Sequence, residues 1–230
     1  MNYYSLINSM KKAVNPLLVS LVGAWNGNSN TNDSIGSNTG TPMGGLTYVA
    51  GKVGNAFQGN GSNAYVKLGD NTWRPTNFSY CGWFKMDSAP GGACILSSWG
   101  SSATGYNNGL GLYVGGGALI FQIRNSGTTK SVSYSGISIG NQYFFSMKFD
   151  GTTMTLRVMS TGGIDQTRTL ASTTYPSFEA TQYATIGAYR YGSADYPFPG
   201  WIDAIDYYSR AITISEENSL YNSYTGLELP

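Results

Sequence analysis

The chain has 230 residues and a net charge of +1, and only 11% of its residues are charged, against about 25% in an average domain. That balance offers no basic field for nucleic acid, and the absence of histidine removes Ser-His-Asp and Cys-His nucleophile systems. Two cysteines without histidine do not supply a structural zinc site.

The first predicted element is a helix. Tyr3, Leu6, Ile7, Met10 and Val14 recur at helical spacing, with Asn2, Ser5, Asn8, Lys11 and Lys12 on the other face. An amphipathic helix of about three turns, marginal alone in water, is expected over residues 1–15. It must pack on its own domain or dock on another protein. The stretch MKKAVNPLLVSLVGAWNG (10–27) also places two lysines before an apolar run. A secretory signal wants roughly 7–15 apolar residues, and Asn15-Pro16 interrupts the approach to this one. It is also shorter than the roughly 20 residues of a membrane span, so no membrane insertion is expected. Leu17–Trp25 is read instead as a strand with Pro16 at its start.

From there the signals are β. A polar loop over 26–45 precedes strands at 46–50, 55–59 and 63–68, with Asn60-Gly61 as a turn. FSYCGWFKM (78–86) and ACILSSW (93–99) flank Pro90-Gly91-Gly92. A hairpin there would set Cys81 opposite roughly Ser98 rather than Cys94, so two buried thiols are expected in place of a disulfide. A loop over 100–108 leads to strands 109–114 and 118–124. Asp150-Gly151 between alternating apolar residues predicts a two-residue hairpin that pairs Met147 with Met154, Phe145 with Leu156 and Tyr143 with Val158. The last strands are 183–192 and 200–212, followed by a short helix, SEENSLYNSY, capped by Ser215. About a dozen short antiparallel strands imply an all-β, two-sheet jelly-roll sandwich over 16–230.

Five segments in order carry a family resemblance. They are LVGAWNG…NDSIGSNTG, GKVGNAFQGNGSNAYVKL, FSYCGWFKM, GNQYFFSMKFDGTTMTLRV and FPGWIDAIDYYSRAITISEENSLY. Together they resemble the laminin-G-like, concanavalin A-like jelly rolls of bacterial and phage proteins. The resemblance implies a module that binds glycans or proteins, often with one calcium ion held by oxygens. Asp33 and Asp203 match the family's acids, while Ala204 stands where a second acid is usual. Fold does not fix function.

Hydrolysis of a glycosidic bond needs a facing pair of carboxyls. The acids here are scattered, and Asp203 and Asp206, three apart, face opposite sides of a regular strand. No catalysis is expected. Binding is better served, because sugar C–H faces stack on aromatic rings and two loops offer them. One carries Trp99, Tyr106 and Asn107; the other carries Tyr191, Asp195 and Tyr196. Helix and resemblance combine into one expectation: a phage virion component, attached to other virion proteins through 1–15, displayed on the virion surface and able to form a homo-oligomer. The alternative is a secreted, extracellular carbohydrate-binding module.

Overall fold

The computed structural model describes residues 15–70, 76–89, 91–99, 107–178, 183–191, 194–223 and 225–229, with Asp70, Arg190, Tyr191, Ala194 and Asp195 described for backbone only. The expected helix over 1–15 lies outside these residues, save for Asn15. A 3-10 turn, Pro16–Leu18, leads into β1 (Leu21–Trp25), β2 (Thr41–Met43), β3 (Thr47–Ala50), β4 (Asn55–Asn60) and β5 (Tyr65–Asp70). The long β6 (Phe78–Met86) is followed by β7 (Ala93–Trp99), β8 (Gly109–Gly115), β9 (Ala118–Asn125) and β10 (Thr128–Ser135). Then come β11 (Gln142–Phe149), β12 (Thr153–Ser160), β13 (Asp165–Ala171) and β14 (Tyr183–Ile186). A ribbon, β15 (Arg190–Tyr191) and β16 (Ala194–Asp195), precedes β17 (Pro199–Tyr208) and a closing helix, α1 (Ile214–Tyr221).

The expected sandwich is present. One antiparallel sheet of eight strands runs β13-β12-β11-β6-β17-β4-β3, with β1 also paired to β17; a second, of seven, runs β10-β9-β8-β7-β14-β5-β2. Alternation fills the space between them. Phe145, Met147 and Phe149 of one sheet join Leu112, Phe121 and Ile123 of the other in one buried cluster. Phe78 meets Phe121 edge-on at 5.9 Å across the gap. Fully burying such side chains contributes about 1.5–3 kcal/mol each.

β6 and β17 do not alternate: every described residue of β17 is buried, as is all of β6 except Lys85. The reason is a second cover. Trp83, Trp201, Leu220 and Leu229 make a smaller cluster on the outer face of the eight-stranded sheet. Trp83 stacks on Tyr221 at 5.3 Å, and Lys52 Nζ sits 4.7 Å over the Trp83 ring. Helix α1 also carries Glu217 into this layer. Its carboxylate meets Lys148 at 2.7 Å and Arg157 at 3.0 Å, and accepts the Ser146 hydroxyl at 2.8 Å. Arg157 in turn forks onto Asp165 with bonds of 2.9 and 2.8 Å.

Four expectations are corrected. The first strand starts at Leu21, because the Asn15 side chain accepts the Leu17 amide and Pro16 opens a 3-10 turn. The Asp150 hairpin pairs Phe149 with Met154, Met147 with Leu156 and Phe145 with Val158, two residues away from the predicted register. Asp150 Oδ1 accepts the amides of Thr152 and Thr153, both at 2.8 Å, which builds a longer loop than Asp-Gly alone. A slip of two preserves which side chains face the core. β6 and β7 are not a hairpin but belong to different sheets, although the two free, buried thiols expected from that hairpin are present. The helix cap is Thr213, which forms a reciprocal capping box with Glu216.

Candidate functional site

Outward-facing residues of the seven-stranded sheet build a cleft. On β8, Leu110, Leu112 and Val114 enter the core, which turns Gly111, Tyr113 and Gly115 to the outer face. On β9 the same alternation turns Gln122 and Arg124 outward. The glycines leave a recess on either side of Tyr113. A Cβ at Gly111 would lie 2.7 Å from the Trp99 indole nitrogen, so glycine is what lets that ring lie flat on β8. Gly111→Val is expected to displace the indole and cost about 1–3 kcal/mol of stability, read by urea unfolding.

The ring contacts run round the cleft in sequence. Gln122 donates through Nε2 to the Tyr113 hydroxyl at 3.5 Å, and its Oε1 accepts from Arg124 Nε at 3.0 Å. The Arg124 guanidinium lies 5.1 Å over the Trp99 ring. Trp99 meets Tyr189 edge-on at 5.5 Å, and Tyr189 meets Tyr196 at 5.7 Å. The cleft is about 220 Å³ and open to solvent, and Gly91, Gly92 and Cys94 also line it. Burial raises the Tyr113 hydroxyl's pKa, partly offset by Arg124. Burial likewise raises that of the Cys94 thiol, so both stay protonated. Tyr196 is fixed through its backbone: its carbonyl accepts the Cys94 amide and its amide donates to the Tyr189 carbonyl, both at 3.0 Å.

The structure therefore brings together some of the expected residues. Tyr196 lines the cleft and is 42% exposed, whereas Trp99 is 6% exposed and stands behind Arg124 and Tyr189 as their support. Asn107 is outside the cleft, its carbonyl accepting from Gly127 at 3.1 Å. Tyr106 lies outside the described residues, as do the side chains of Tyr191 and Asp195. Tyr113, Gln122, Arg124 and Tyr189 were not anticipated. Alternation in GLGLYV and ALIFQIR marks the first three as outward-facing, which is the signal that could have found them.

Asp33 and Asp203 have other partners. Asp33 Oδ1 accepts the amides of Ala24 (3.1 Å), Ile35 (3.1 Å) and Gly36 (2.9 Å), and Oδ2 that of Asn38 (3.2 Å). Asp203 Oδ2 accepts from Lys52 and Val53 at 2.6 and 2.9 Å. Calcium takes six to eight oxygens, but N–H groups converge here, on two different loops. Among the described residues no group of three or more Cys, Asp or Glu is placed to hold a metal. These residues do not fit a calcium site.

The expectation that Asp203 and Asp206 face opposite sides is also corrected. Ala204 has φ of 49°, and the pairing with β6 shifts by one residue between the two acids. This bulge sets both on the outer face with Trp201 and Tyr208. Both are buried, and one oxygen of each has no hydrogen-bond partner. Burial, opposed by amides of Lys52 and Val53, pushes Asp203 up to about 7. Burial, then the charges of Asp203 and Glu228, raises Asp206. A carboxyl raised in the folded chain contributes stability that is full below the ordinary carboxylate range, about pH 4, and is lost as pH rises through the folded value. Stability from this pair thus declines from about pH 4 toward and beyond 7. Asp206→Asn is expected to flatten that decline and to stabilise the chain at pH 8 by about 1–3 kcal/mol, measured by urea unfolding across pH.

Residues 60–216 match the concanavalin A-like lectin/glucanases superfamily, and the chain belongs to it. No curated protein matches the sequence. Domain 4 of the extracellular GH43 arabinanase AbnA from Geobacillus stearothermophilus, solved with arabinotriose, superposes with a TM-score of 0.67 at 19% identity, covering 90% of this chain and 98% of that one. The binding domain of botulinum neurotoxin serotype D/C superposes with 0.67 at 16% identity, over 90% of this chain and 53% of that one. The enzymatically active domain of tailspike protein 2 of bacteriophage CBA120 gives 0.59 at 13%, over 80% and 30%. This chain thus spans about half of the toxin domain and under a third of the tailspike chain. At these identities the likeness shows the shared fold.

Proposed function

We propose that this chain is a carbohydrate-binding module of a phage virion, displayed on a decoration, fibre or tail-associated component. The observation that carries the binding reading is the cleft itself. Tyr113, Tyr189 and Tyr196 offer rings for sugar C–H faces, while Gln122 and Arg124 offer hydrogen bonds to hydroxyls. Similar folds solved with arabinotriose and with sialylT support it. Binding without bond cleavage is favoured because the described cleft wall holds no carboxylate, and Asp203 and Asp206 are buried beneath the C-terminal segment. The amphipathic pattern of residues 1–15 and the tailspike likeness support attachment to other virion proteins. A second reading, a secreted carbohydrate-binding module, is favoured by the near-complete overlap with the arabinanase's domain 4.

A glycan array tests the binding reading. Signal is expected on at least one sugar class, and Tyr196→Ala should weaken it at least tenfold, about 1.4 kcal/mol; an empty array would refute carbohydrate binding. Removing residues 1–15 should abolish incorporation into particles and leave glycan binding intact. Normal incorporation of the shortened chain would show that attachment does not run through 1–15, and absence of the full chain from particles would favour the secreted module.

A further inference from the structure

We propose that the tyrosine-lined cleft and a polar groove beside it are two adjoining subsites of one oligosaccharide site, so that the ligand is read as at least two linked sugar residues straddling Tyr196. This rests on the carbohydrate reading above and adds a length requirement to it. The groove is about 350 Å³ and is edged by Asn60, Ser88, Ala89, Pro197 and Pro199. It shares Gly91, Gly92 and Tyr196 with the cleft.

Four features argue for one continuous site. The cleft, about 220 Å³, is smaller than the roughly 300–1,000 Å³ of sites that enclose a drug-sized ligand, which suits a single sugar ring. Among the described residues, the stretch that the two share is glycine and sets no side chain of its own between them. A Cβ at Gly91 would have nothing within 4 Å, and one at Gly92 would meet only the Tyr196 ring, at 3.3 Å. The divider is a half-exposed ring on a tethered backbone, in reach of a sugar on either side. The chemistry of the halves differs as two linked residues would need. The cleft gives rings, an amide and a guanidinium; the groove gives the Ser88 hydroxyl and two proline edges, because the Asn60 amide is held by Gly44, Ser62, Asn63 and Ala64 of its own turn. Its described edge carries no charge, so its occupant is recognised through hydroxyls.

The test is an array of mono- to tetrasaccharides of common hexoses, pentoses and sialic acids, with calorimetry on the sugars that bind. Disaccharides or longer should bind at least roughly tenfold tighter than their component monosaccharides. Ala89→Trp, at an exposed residue that edges the groove but not the cleft, should erase that gain and leave monosaccharide binding unchanged. Gly91→Gln, which projects into both, should weaken every sugar. Equal affinity for monosaccharides and oligosaccharides, or a length gain that survives Ala89→Trp, would overturn the two-subsite site while the carbohydrate reading stands. Binding by no sugar at all, from a chain with its normal unfolding midpoint, would overturn that reading and this inference with it.

Discussion

Glu217→Ala is expected to lower stability by about 3–5 kcal/mol, the usual effect of removing one member of a buried ion pair. The carboxylate is 1% exposed and lies between Lys148, which is 14% exposed, and Arg157, at 7%. Arg157 keeps Asp165 after the change, but Lys148 loses its anion and keeps only a hydrogen bond to the Ile212 carbonyl. Ser146 loses its acceptor as well. Glu217→Gln should cost less, since an amide oxygen still accepts from Ser146. Urea unfolding of the two variants separates the charge from the hydrogen bond; equal and small losses would show that the network contributes little.

Asp33→Ala should cost about 3–4 kcal/mol, from four backbone amides left without their acceptor at roughly 1–3 kcal/mol for each one that stays buried. The same loop places the Asn38 carbonyl under the Trp25 indole N–H at 3.1 Å, so loss of the loop also loosens a fully buried ring. Asp33→Asn keeps one oxygen acceptor and should fall between Ala and the parent. Unfolding midpoints in that order, unaffected by added calcium, are the expected result. A calcium-dependent midpoint in the parent, lost in Asp33→Ala, would show that the carboxylate holds a metal.

Strand identity was legible wherever one face is wet, because period-two patterning is a direct record of burial. FFSMKF and MTLRV name their core faces by alternation, but not that Phe144, Ser146 and Arg157 on the opposite face are buried too, under the C-terminal layer. The register was not legible, since Asp150 chooses its loop by side-chain hydrogen bonds to amides that any residue carries. Nor was the bulge at Ala204: an alanine with positive φ leaves no mark on the sequence, and it reverses where Asp206 points. For the cleft, loop aromatics drew notice and Tyr196 belongs there, but half of the wall comes from mid-strand residues. Those residues contact one another only because β8 and β9 pair in a particular register, bringing Gly111 opposite Gln122 and Gly109 opposite Arg124.

The position of β17 bears on how the polypeptide is made. It lies between β6 on one side and β4 and β1 on the other, so the middle of the larger sheet is supplied by the last of the sandwich's described strands to be synthesised. Until then β6 and β4 have open edges, and their pairing must wait on contacts spanning more than a hundred residues, the slow kind to form. Nascent chains stalled before Pro199 should therefore be protease-sensitive and prone to stick to one another, and the sandwich should assemble only once β17 has been made.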